Sequence, residues 1–155
     1  MTAATETVRA FMVALEAAQF DTAKGYLADS FTFSGWTPEP LNRDDFITVM
    51  SGLKSAMPNL SYHFRGAREL EAQEQDSQEV GSVQISGTQE NSLNLPPLSL
   101  PPIPQMAHSI SLPPMRWYFT LQNNLISRIN VEHVQGGDFH ALLNQLGTDV
   151  RPIQS

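Results

Sequence analysis

The chain has 155 residues, enough for one domain whose core needs no staple, and its 41% hydrophobic and 16% charged residues exclude a disordered polymer. Sixteen acidic residues against nine basic ones give a net charge of -7. The basic residues are scattered, so no nucleic-acid partner is expected on a surface that repels phosphate backbones.

From Thr5 to Gln19, Val8, Phe11, Met12 and Leu15 recur at spacings of three and four, which predicts an amphipathic helix. Glu6, Arg9 and Glu16 interrupt its apolar run, so neither a secretory leader nor a membrane span is expected. Asp21 reads as the N-cap of a second short helix over "TAKGYLADSF". A third begins near Asn42, with Asp44 and Asp45 suited to the positive first turn, carries Phe46, Ile47, Met50 and Leu53, and stops before Pro58.

After Pro58 the period changes to two. Leu60, Tyr62 and Phe64 alternate with polar residues, and "EVGSVQISGTQ" returns with Val83, Ile85, Gly87 and Gln89 on one face, which predicts a long hairpin. Seven of the 11 prolines fall between Pro96 and Pro114, which bars a central strand until roughly Met106. The reading there is an extended loop whose leucines and Ile103 pack on the domain itself, with a proline-rich ligand for a partner domain as the alternative. A short strand follows, with His108, Ile110 and Leu112 on one face.

In "MRWYFTLQNNLISRINVEHV", Trp117, Phe119 and Leu121 alternate, Asn123-Asn124 forms a turn tolerant of positive φ, and Leu125, Ile129 and Val131 return. Tyr118, Thr120, Gln122, Arg128, Asn130 and Glu132 then share the opposite face, which suits solvent or a moderately polar dimer interface. A short helix from Asp138 to Leu146 closes the chain. Helices followed by an antiparallel sheet define an α+β fold in which the sheet curls over the helices and encloses a pocket.

Asp138 follows Gly136-Gly137 and precedes that helix. It serves either as a cap or as a pocket carboxylate that moves protons. His133 ends an apolar row and His108 shares a face with Ile110, so each is a candidate acid or base near neutral pH, or else a satisfied core histidine. Gln89 could hydrogen-bond a ligand carbonyl or enolate without titrating, Trp36 could wall a pocket, and the Trp117 indole N–H needs a partner wherever it is buried. The four histidines lack ligand spacing, no glycine-rich phosphate loop follows a strand, and there are no cysteines, so no metal, nucleotide or thiolate chemistry is expected and the cytoplasm is the default location.

"LNRDDFITVMSGLKSAMPNLSYHF", "ISGTQ" and above all the ending "DFHALLNQLG" resemble the SnoaL-like polyketide cyclases of the nuclear transport factor 2-like superfamily. The resemblance spans nearly the whole chain, residues 1–155 as one domain. It implies a cone-shaped fold, with three N-terminal helices packed in a curved sheet around an apolar pocket, and a homodimer. It also implies intramolecular aldol chemistry or isomerisation of an apolar carbonyl compound, without metal or other cofactor, with Asp138 as acid/base. Gln89 stands where such proteins usually carry a histidine. A non-catalytic module of the same fold, binding a hydrophobic ligand or dimerising, is the alternative.

Overall fold

Residues 3–37, 39–72, 76–91, 109–139 and 141–142 are described by the computed structural model. Helix α1 (Ala3–Glu16) buries Val8, Phe11, Met12 and Leu15 on the face the spacing predicted. Helix α2 is short, Phe20–Gly25, and its N-cap position is Gln19, with Asp21 inside the first turn where it meets the positive end of the helix. The expected continuation of this helix to Phe31 is corrected. The chain turns at Tyr26 and enters strand β1 (Leu27–Ser34), because Phe31 and Phe33 gain burial only when extended against the sheet. Strand β2 (Leu41–Asn42) leads into α3 (Arg43–Ala56), whose N-cap Asn42 accepts the Asp45 N–H at 2.8 Å.

The stretch expected to form a strand from Leu60 is also different. Leu60 and Tyr62 are buried, but Ser61 makes a single bridge to Ser86, His63 takes φ +44°, and strand β3 begins only at Arg65 (Arg65–Ala72). Strand β4 (Asp76–Val83) returns, and β5 (Ser86–Thr88) pairs with β6 (Ser109–Ser111) in a separate two-stranded sheet. The expected proline-rich loop from Pro96 to Pro104, His108 and the part of the expected closing helix beyond Leu142 lie outside the described residues.

Strands β7 (Met115–Gln122) and β8 (Leu125–Val131) form the predicted hairpin, with Asn123 and Asn124 at φ +52° and +66°. Leu121 faces Ile126 while Thr120 faces Arg128, so one extra residue on β8 bulges. That bulge corrects the expected placement of Leu125, which is exposed, and turns Ile126 inward instead.

The main sheet has the order β2-β1-β8-β7-β4-β3. It is mixed, not purely antiparallel, because β1 runs parallel to β8. Register shifts in the β1–β8, β3–β4 and β7–β8 pairings bend it around the helices. Phe46 of α3 holds the two layers together, stacking within 6.2 Å of Phe11 and within 5.2 and 4.8 Å of Phe31 and Phe33. No described helix is long and apolar enough to cross a membrane.

Candidate functional site in the cone

Strict alternation along β7 sends Met115, Trp117, Phe119 and Leu121 inward. Trp117 is completely buried, with ring centroids 5.5 Å from Phe33, 6.3 Å from Tyr62 and 6.3 Å from Phe119. Its Nε1–H has no hydrogen-bond acceptor among the described residues. A buried indole N–H without an acceptor forgoes about 1–3 kcal/mol, so the position asks for one. Beside it, the Tyr62 hydroxyl meets, among the described residues, the Met50 Sδ at 3.4 Å, a weak acceptor. Burial, with a smaller contribution from the Glu16 carboxylate, pushes the Tyr62 phenol well above its usual range, so it stays a donor. The interior therefore holds two donors with little to accept them among the described residues.

Trp36 sits on a loop made possible by Gly35, whose φ is +95° and whose Cβ, if it had one, would collide with the Val131 carbonyl. The Trp36 Nε1–H donates to the Gly137 oxygen at 2.8 Å, and the Phe139 N–H donates back to the Trp36 oxygen at 3.0 Å. The two rings meet edge-on at 5.5 Å. Asp138 is thus held between two residues pinned to one tryptophan. It is half-buried, and its Oδ1 accepts the Ala141 N–H at 2.9 Å, the geometry of a cap. Rings run without a break from Phe139 through Trp36 and Phe33 to Trp117.

Gln89 is fully buried, and the Glu90 and Asn91 N–H groups that follow it both donate to the Ala56 oxygen at the end of α3. His133 is exposed, because β8 ends at Val131 before the strand parity can carry it inward. Trp36 and Trp117 therefore belong to one row of rings, Asp138 precedes Phe139 at its end, and His133 stands apart.

One interior acid was not singled out from the sequence. Glu79 is fully buried opposite Phe119 on the inner face of the sheet, and its Oε1 accepts the Thr5 hydroxyl at 2.7 Å. The alternation that placed Val83 inward continues through Gly81 to Glu79, so the signal was present and masked by the residue's charge. No three His, Asp or Glu side chains cluster to hold a metal among the described residues.

No family model matches this sequence, and no curated protein matches it. Solved structures do. A proposed SnoaL-like polyketide cyclase from Jannaschia sp. CCS1 superposes with a TM-score of 0.69 at 13% identity, covering 96% of this chain and 94% of that one. A proposed polyketide cyclase from Pseudomonas putida KT2440 gives 0.66 at 16% identity over 94% and 98%. AclR, a proposed hydroxylase from Streptomyces galilaeus, gives 0.67 at 11% over 93% and 95%. The chain has the SnoaL-like, nuclear transport factor 2-like fold. At these identities the likeness establishes the fold and leaves the chemistry to the site.

Proposed function

We propose that the protein binds a small, largely apolar carbonyl compound inside the cone, with the Trp117 Nε1–H donating to the carbonyl oxygen. The observation that carries this reading is the buried indole donor with no acceptor among the described residues, set among rings that suit an apolar body. Tyr62, held protonated, is a second donor to the same ligand, and Gln89 contributes an amide.

Asp138 is the group we assign to proton transfer. Its carboxylate takes a proton from the carbon beside the carbonyl, the electron pair moves onto the oxygen held by Trp117, and the enolate carbon attacks a second carbonyl of the same molecule. The proton returns from Asp138 to the new alkoxide, so no cofactor is consumed. The cap bond occupies one lone pair of Oδ1 and leaves the carboxylate its other acceptor sites. His133, exposed beyond β8, has no part in this scheme.

The test is Trp117→Phe, which keeps the ring and removes the donor. A panel of aromatic and polyketide-like ketones is screened for thermal stabilisation, since a ligand of the native state raises its stability. A binding ketone should lose roughly tenfold in affinity on Trp117→Phe, the value of about one hydrogen bond. Equal binding to both proteins would remove Trp117 from the site.

A further inference from the structure

Outside the cone, a groove of about 490 Å³ runs between α1 and the segment that leads into β3. Arg9, Met12 and Val13 form one wall, and His63, Phe64 and Arg65 the other. Val13 is 68% exposed, the most open large apolar side chain among the described residues. Phe64 belongs to both the groove and the interior. It lines the groove, and its ring also packs edge-on against Phe119 at 6.0 Å.

Phe64 fits there because the facing residue is glycine. A Cβ on Gly81 would collide with the edge of the Phe64 ring, and Gly81 pairs directly with Trp117 across the sheet. Glu79, Gly81 and Trp117 thus share the inner face, and the Phe64 ring fills the space that Gly81 leaves open. The backbone on either side is in the left-handed region, at φ +44° in His63 and +72° in Gly66. For His63 that conformation costs on the order of 1 kcal/mol, and such positions recur where a segment changes conformation. Tyr62 N–H and Ser61 hydroxyl, both donating to the Glu16 carboxylate, anchor the segment just before it.

We propose that this groove is the port through which a ligand reaches Trp117 and that Phe64 is its gate, turning about the His63–Gly66 segment to uncover the space over Gly81. The proposal rests on the cone being the binding site, but the port can be tested without the ligand. Acrylamide, a small neutral amide, quenches indole fluorescence by contact. In a Trp36→Phe background the only indole is Trp117, and in a Trp117→Phe background it is Trp36.

Phe64→Ala should raise the acrylamide quenching constant of Trp117 several-fold and leave that of Trp36 unchanged. Gly81→Ala, which displaces the ring from the opposite side, should act in the same direction. No change at Trp117 in both variants would overturn the gate. An equal rise at Trp36 would also overturn it, since that reports general loosening. If quenching behaves as expected but Trp117→Phe leaves ketone affinity unaltered, the port stands and the donor role of Trp117 falls.

Discussion

A carboxylate at the start of a helix accepts a backbone N–H whatever else it does, and Asp138 does so at 2.9 Å. Two substitutions separate that role from proton transfer. Asp138→Asn keeps an oxygen acceptor for Ala141 and removes the base. Asp138→Ala removes both. Denaturant melts should show Asp138→Ala less stable by about 1 kcal/mol and Asp138→Asn close to the parent. On a substrate, both variants should lose turnover alike if Asp138 moves the proton. Retained turnover in Asp138→Asn would leave the residue a cap. Glu79 illustrates the opposite case, an acidic side chain whose inward parity is plain and whose buried carboxyl accepts the Thr5 hydroxyl.

Among the strand pairings, the parallel one of β1 with β8 spans the greatest separation along the chain, and it brings the Trp36 loop against the segment carrying Asp138. Gly35 sets its end. With φ at +95° and the Val131 carbonyl against its α-carbon, it accepts no side chain without moving one strand or the other. Gly35→Ala should destabilise the protein by about 2 kcal/mol or more, and near-ultraviolet circular dichroism should report a changed Trp36 environment. A neutral result would mean that the β1–β8 register tolerates a shift. The β8 bulge acts at the same scale: one extra residue exchanges Leu125 for Ile126 in the core while leaving Ile129 and Val131 inward.

At the scale of the molecule, the helical layer and the sheet meet through rings. Phe46 contacts Phe11 on one helix and Phe31 and Phe33 on β1, so it joins three elements at once. Phe46→Ala should cost about 3–5 kcal/mol in urea unfolding, the range for an aromatic removed from a packed core. Trp117, central to the proposed site, is equally buried, which is why the conservative change to Phe is the informative one there.

Periodicity determined α1 and α3, the inward row of β7, the Asn123-Asn124 turn and the α+β class, while the SnoaL-like fold was expected from the resemblance of the quoted motifs. These follow from local patterns, since a face that alternates or recurs every three to four residues must bury the same side chains in any compact arrangement. Tertiary structure decided what depends on distant partners. Leu27 to Ser34 became a strand because β8 lay open beside it, and the bulge at the start of β8 chose Ile126 over Leu125. Among the described residues the Trp117 indole has no acceptor, and the rings of Phe33, Tyr62 and Phe119 that surround it come from three different segments, which no single strand of sequence discloses. Hydrogen bonding in a core depends on which side chains arrive from the opposite layer, and their arrival is fixed only when the sheet closes over the helices.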